Sequence, residues 1–244
     1  MEAVVFAAGL GTRLRPLTER LPKALVEVAG RPMLEHVIRR LIAAGADRIV
    51  INTHPFPEQI RRFLEATDFG VEILESYEPD GPLETGGGLK RAAALLRRDA
   101  PIILHNSDIL TDFDLRAMYA AHAAADALAT LAVADRATTR YFLFDETGLC
   151  GHEDRAKGTR RVVRESTGAV RPRAFGGVHV VAPELPSLLA EEGAFSIVGP
   201  YLRLAEEGRR IAAFEIGEST WVDIGSPAKL MEAEAAAARM AASV

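Results

Sequence analysis

Cysteine is all but missing: Cys150 stands alone among 244 residues, so neither an internal disulfide nor a cysteine zinc cluster can form. A lone thiol of this kind is expected to act as a small apolar residue. No run approaches the roughly 18 apolar residues of a membrane helix. The opening residues also lack a basic segment followed by a long apolar stretch, so a cytoplasmic protein with no membrane partner is expected. Positive charge is short as well, because 29 Lys and Arg against 34 Asp and Glu leave a formal net charge of -5. That excludes a nucleic-acid binder held by a generally basic surface, while a local cationic pocket remains open. No internal repeat and no low-complexity linker divides the chain.

What is present is alternation. Residues 3–8, 48–52, 71–75 and 101–106 read as short apolar strands, and 32–44, the stretch ending at Ala66, 89–97 and 113–124 as helices between them. Gly45 ends the first helix, and the glycine-rich stretch 78–88 reads as loop. Strand and helix at this spacing imply right-handed crossovers and a mostly parallel sheet covered on both faces. Further on, 127–133, 141–144, 160–163 and 174–181 read as strands with few helices between, which implies an antiparallel or mixed extension. Helices at 183–191 and 196–207, strands at 210–216 and 221–223 and an Ala-rich helix from Pro227 complete the pattern. The expected fold class is α/β, a single Rossmann-like domain over 1–244. The pattern divides it into a first half, 1–125, a second half, 126–225, and a C-terminal helix, 226–244. Leu230, Met231 and Met240 on that helix can face the domain or a partner, so the sequence leaves monomer and homo-oligomer open.

The first strand breaks into Ala8-Gly9-Leu10-Gly11-Thr12-Arg13, followed by Pro22-Lys23. Glycines suit a tight turn and leave amide N–H groups uncovered for an anion, while Thr12 adds a hydroxyl and Arg13 a planar cation. A dinucleotide fingerprint would place a third glycine where Leu14 stands, and a P-loop would have Gly-Lys-Ser/Thr where Gly-Thr-Arg stands. Neither fits, which weighs against a dinucleotide-dependent oxidoreductase. Two aspartates follow strand ends, Asp108 in His105-Asn106-Ser107-Asp108 and Asp223 in Trp221-Val222-Asp223-Ile224-Gly225. Each sits where open α/β sheets bind ligands, and each equally suits a turn or a helix N-cap.

The opening AAGLGTRLRPLTERLPKALVEVAGRPMLEHVI resembles the sugar-phosphate nucleotidyltransferases, the pyrophosphorylase-type enzymes that make nucleotide sugars. The resemblance implies a small-molecule reaction: a sugar 1-phosphate oxygen attacks the α-phosphorus of a nucleoside triphosphate, and pyrophosphate leaves. The nucleophile is already largely ionised near neutrality, since the second pKa of a phosphate monoester is about 6, so no Ser-His or Cys-His pair is required. The resemblance further implies that Ala8, Gly9, Gly11, Thr12 and Arg13 wrap the triphosphate, that Arg13 and Lys23 are the catalytic cations, and that Asp108 and Asp223 hold Mg²⁺. Ser107 stands where the family often has glycine, and Glu27 where it often has proline.

The segment Leu83-Glu84-Thr85-Gly86-Gly87-Gly88 falls at the family's nucleobase site, with Glu84, Thr85 and Gly86 implied in binding. It is similar to the loop of uridylyltransferases acting on N-acetylmuramic acid 1-phosphate, whereas mannose and heptose guanylyltransferases more often carry glycine at Glu84. UTP is therefore expected, with GTP the alternative base and a non-catalytic nucleotide-sugar sensor the alternative role. Asn106 and Gly176 are the expected sugar-binding residues, with a β-bulge the bland account of Gly176-Gly177. His54 and His179 are expected to be structural, and the Arg- and Lys-bearing stretch 136–173 reads either as a flap or as an exposed hairpin.

Overall fold

A computed structural model describes residues 1–242. In chain order the elements begin with β1 (Glu2–Phe6), β2 (Glu27–Val28), β3 (Arg31–Pro32), α1 (Met33–Ala44), β4 (Arg48–Thr53), α2 (Pro57–Ala66), β5 (Glu72–Tyr77) and α3 (Glu84–Ala92). They continue with β6 (Ile102–Asn106), β7 (Ile109–Thr111), α4 (Leu115–Ala124), β8 (Ala129–Ala134), β9 (Arg140–Asp145), β10 (Gly148–Asp154), β11 (Thr159–Val162) and β12 (Arg171–Val181). The last are α5 (Val198–Glu206), β13 (Ile211–Glu215), β14 (Trp221–Asp223) and α6 (Pro227–Ala242). The helix expected over 226–244 is thus seen to Ala242, and residues 243 and 244 lie outside the described residues.

The main sheet runs β11-β10-β9-β12-β6-β1-β4-β5, with β8 beside β12 and β13 beside β8. Pairing is parallel among β6, β1, β4 and β5. The strand β12 is antiparallel to β6, β8 and β9, while β13 returns parallel to β8. The mixed extension over the second half therefore grows from one eleven-residue strand. Alternation along the central strands builds two cores, because successive side chains point to opposite faces. Ala3, Val5, Ile49, Ile51 and Ile103 pack on one side with α1, and Val4, Val50, Ile102 and Leu104 on the other with α3 and α5. Leu230 and Met240 pack against the first core, whereas Met231 is exposed.

Several expectations are corrected. Gly86, Gly87 and Gly88 lie within α3, not in a loop, and all three are buried. Glycine is a weak helix former, but each of these positions abuts a neighbour that a Cβ would strike: the Phe195 ring, the Gly193 carbonyl and the Asn52 amide in turn. The expected helix at 183–191 is only a 3-10 turn over Leu185–Leu188. The strands β2, β3, β7 and β10 were not foreseen; the first two form a hairpin turned by Ala29 and Gly30, both at positive φ. Within 136–173 the strands β9, β10 and β11 pair antiparallel in succession, joined by turns. Cys150 is buried, as expected.

Both expected structural histidines lie in the fold, and both have partners that the sequence did not reveal. His54 Nδ1 meets the Glu78 carbonyl at 2.7 Å, and His179 Nδ1 pairs with the Tyr201 hydroxyl. Burial pushes His179 down to about 3, with His105 adding to the effect. Burial likewise brings His105 down to about 4, against the opposing hydrogen bond to the Asn106 carbonyl. Below the unfolded value of about 6.5, the unfolded chain takes up protons that the native state refuses. Stability should therefore be full above that value and fall as pH drops toward 4, by on the order of a few kcal/mol. Urea midpoints measured from pH 7 to pH 4 test this, and a flat profile would refute it.

Candidate active site

The first strand ends at Phe6, and its continuation forms one wall of a cleft of about 1070 Å³ at the carboxyl edge of the parallel strands. Ala8, Gly9, Gly11, Thr12, Arg13 and Lys23 line it from the N-terminal segment, Glu84 and Thr85 from the start of α3, and Asn106, Asp108 and Asp223 from strand ends. Of the two loop glycines only Gly11 is conformationally required. It has φ +62°, its Cβ would crowd Thr18 and Lys23, and its carbonyl accepts from the Thr18 hydroxyl at 2.8 Å. Gly9 has open space where a Cβ would stand.

Asp108 and Asp223 lie 115 residues apart in sequence (223 minus 108) and are joined by a small sheet. In it β14 pairs antiparallel with β7, setting Asp223 opposite Ile109, the residue after Asp108. The Ile224 N–H donates to the Asp108 carbonyl at 3.0 Å, closing the turn beneath both carboxylates. Lys23 Nζ forms an ion pair with Asp108 Oδ2. Asp223 Oδ1 accepts from the Gly225 N–H at 2.9 Å. A Cβ on Gly225 would stand 2.8 Å from Arg13 Nη2 and would strike Asp223 Oδ1, so this glycine lets cation and carboxylate approach one backbone point together.

These hydrogen bonds use one oxygen of each aspartate and leave Asp108 Oδ1 and Asp223 Oδ2 without donors among the described residues. Among the described residues no group of three or more His, Cys, Asp or Glu could hold a metal ion. Two hard carboxylates in one cleft nevertheless fit Mg²⁺, which usually takes one or two from the protein and completes its shell with phosphate and water.

Two expected residues do not line the cleft. The Gly86 N–H donates to the Phe195 carbonyl at 2.9 Å, so this glycine holds α3 against the neighbouring segment. The Gly176 carbonyl accepts from Trp221 Nε1 at 2.7 Å, and it is Gly177, at φ +71°, that lines the cleft. The register between β12 and β8 shifts between Phe175 and His179, so the pair does sit at a bulge.

The far wall was largely unread in the sequence. Arg136 lies 3.6 Å over the Trp221 ring and donates to the Phe175 carbonyl at 2.9 Å. Burial lowers the pKa of its guanidinium, and nearby Asp223 partly offsets that. Arg140, His152, Asp154 and Lys157 from β9, β10 and the turn beyond line the same wall. The scattered cations of 136–173 were the only hint of them.

A glycine loop, cations and acidic groups line one cleft at the carboxyl edge of a parallel sheet, where open α/β enzymes bind their ligands. A family model for nucleotidyl transferases matches residues 2–145, and the chain belongs to that family. It is 36% identical over 242 residues to an N-acetylmuramate alpha-1-phosphate uridylyltransferase of Caulobacter vibrioides, covering 96% of this chain and 95% of that one. To a mannose-1-phosphate guanyltransferase of Candida albicans it is 32% identical, over 93% of this chain and 62% of the relative. A putative glucose-1-phosphate thymidylyltransferase from Bacillus anthracis shares the fold, with a TM-score of 0.80, 17% identity and coverage of 97% and 95% of the two chains. Enzymes of this family are generally metal-assisted. Among the described residues no helix is long and apolar enough to cross a membrane.

Proposed function

We propose that this nucleotidyltransferase condenses UTP with a sugar 1-phosphate, of the N-acetylmuramate type, to give a UDP-sugar and pyrophosphate. The observation that carries the proposal is that Asp108 and Asp223, brought near each other by the β7–β14 pairing, line one cleft with the glycine loop, Lys23 being paired with Asp108 and Arg13 lying near Asp223 across Gly225. Ala8, Gly9, Gly11 and Thr12 receive the triphosphate on main-chain amides and a hydroxyl. Arg13 and Lys23 carry the positive charge that the pentacoordinate α-phosphorus calls for. Asp108 and Asp223 would hold Mg²⁺, which when bound neutralises phosphate charge and favours departure of pyrophosphate. No general base is needed, because the attacking phosphate is already ionised; the protein's task is alignment and charge compensation.

In this reading one domain supplies the nucleotide half from 1–125 and the sugar half from 126–225. Asn106 and Gly177 meet the sugar. Arg140 and Lys157, exposed on the far wall and in no ion pair among the described residues, suit a sugar that bears a carboxylate, as N-acetylmuramate does.

Glu84 supports the choice of base. It is exposed, lines the cleft and has φ +58°, a left-handed conformation costing a non-glycine residue roughly 1–2 kcal/mol. Such a residue at a ligand wall points to a side chain kept for recognition. Glu84→Gly is expected to hold or raise the melting temperature while narrowing the preference for UTP over GTP. A fall in melting temperature with unchanged preference would refute that role.

The whole proposal is tested by a matrix of four nucleoside triphosphates against several sugar 1-phosphates, read by pyrophosphate release. Release should require UTP, sugar phosphate and Mg²⁺ together. Silence across the panel, with tight nucleotide-sugar binding, would instead mark a non-catalytic sensor, and preference for GTP would overturn the base.

A further inference from the structure

The two segments proposed to meet the nucleotide, the glycine loop after β1 and the start of α3, are joined by a chain of side-chain hydrogen bonds in which Asn52 lines the cleft floor and Glu78 lies behind it. The Ala7 N–H donates to Asn52 Oδ1 at 2.6 Å. Asn52 Nδ2 donates to Glu78 Oε1 at 2.7 Å, and the Leu83 N–H donates to Glu78 Oε2 at 2.7 Å. Asn52 is 2% exposed and Glu78 1%. Ala7 immediately precedes the loop residue Ala8, and Leu83 immediately precedes Glu84. Gly88 faces this bridge from α3: a Cβ there would come within 2.6 Å of Asn52 Nδ2 and 3.1 Å of Glu78 Oε1, so the helix carries glycine where the bridge passes.

The chain has a fixed donor–acceptor sense. The Ala7 N–H is shared between the Asn52 main-chain carbonyl at 3.2 Å and the Asn52 side chain at 2.6 Å; at the shorter distance a donor must face an oxygen, which turns the NH₂ of Asn52 toward residue 78. The Leu83 amide also presents a donor to residue 78. Residue 78 must therefore accept on both sides, which a carboxylate does and a carboxamide does not. We propose that Glu78 is a positioning residue for the nucleotide: through Asn52 it locks the base-side segment to the phosphate loop, so that one triphosphate spans both. This rests on the nucleotidyltransferase reading of the cleft, since neither Glu78 nor its oxygens line it.

The test reverses the pattern. In Glu78→Gln one of the two bonds becomes donor against donor, and flipping Asn52 only moves the conflict to the Ala7 amide. The affinity for UTP, measured by titration without sugar phosphate, should fall about tenfold or more. In the double variant Asn52→Asp/Glu78→Gln, the carboxylate at position 52 accepts from the Ala7 amide and from the carboxamide at 78. The carboxamide oxygen at 78 then accepts from the Leu83 amide, so every bond returns with the same net charge. Because Asn52 lines the cleft, the carboxylate now stands nearer the nucleotide than in wild type, so affinity should recover in part, several-fold above that of Glu78→Gln, a non-additivity that independent sites do not show.

Melting temperatures of all three proteins separate positioning from general destabilisation. If Glu78→Gln binds UTP as wild type does, or if the double variant binds no better than the single one, the positioning role is overturned. Wild type that binds none of the four nucleoside triphosphates would overturn the reading of the cleft as well, an outcome distinct from a wild type that binds UTP and a variant that binds it equally.

Discussion

Asp108→Asn should lower turnover by about a thousandfold or more while leaving the fold intact. The fold should survive because what Asp108 gives the architecture is main chain: its carbonyl accepts from the Ile224 N–H, and asparagine keeps that carbonyl. Its side chain is partly exposed and its ion pair with Lys23 lies at the cleft, so the variant loses at most about 1 kcal/mol of stability. What disappears is one of two negative charges facing the site of phosphoryl chemistry. Charge stabilisation by a metal site is worth several kcal/mol in the transition state, and about 4 kcal/mol corresponds to a thousandfold in rate. Asp223→Asn should act in the same direction. Steady-state pyrophosphate release, with melting temperature as the fold control, measures both; wild-type turnover in Asp108→Asn would remove this residue from the reaction. A Mg²⁺ titration adds a second readout, since the variant should need a higher concentration to reach its own maximum.

The parts of this site that were legible in the sequence are those encoded over short distances. The apolar run ahead of Gly9 and Gly11, the basic Thr12-Arg13 pair and the acidic residue just past β6 are all local patterns, because strand, turn and ligand edge follow one another directly in an α/β unit. Joining Asp108 to Asp223 requires a strand pair that closes across nearly half of the chain, and three-residue strands carry too little pattern to announce it. The triple glycine misled for a physical reason. Local propensity marks it as loop, yet tertiary contacts with Phe195, Gly193 and Asn52 fold it into a helix that only glycine fits. The same contacts bury Gly86 against Phe195, off the cleft lining. Glu78 gave no signal at all, since a Glu-Pro pair at a strand end reads as a solvated turn; its burial depends on Asn52, which arrives from a different strand.

Lys23→Ala is expected to reduce kcat/KM for the nucleoside triphosphate by about a hundredfold to a thousandfold, the scale seen when one preorganised donor to a developing charge is removed. An ammonium carries three donors, so Lys23 can keep its bond to Asp108 while offering another to a phosphate oxygen. Alanine removes both and leaves the carboxylate of Asp108 without its counter-ion in a half-buried position. Arginine restores the charge, but its planar fork is a poor substitute for a point charge between two oxygens, so Lys23→Arg should recover only part of the loss. Because Lys23 and Asp108 form an ion pair and the proposed mechanism uses both, the double variant Lys23→Ala/Asp108→Asn should lose far less than the product of the single losses. Strictly multiplicative losses would mean that the two residues work independently, and the ion pair between them would then be incidental to the reaction.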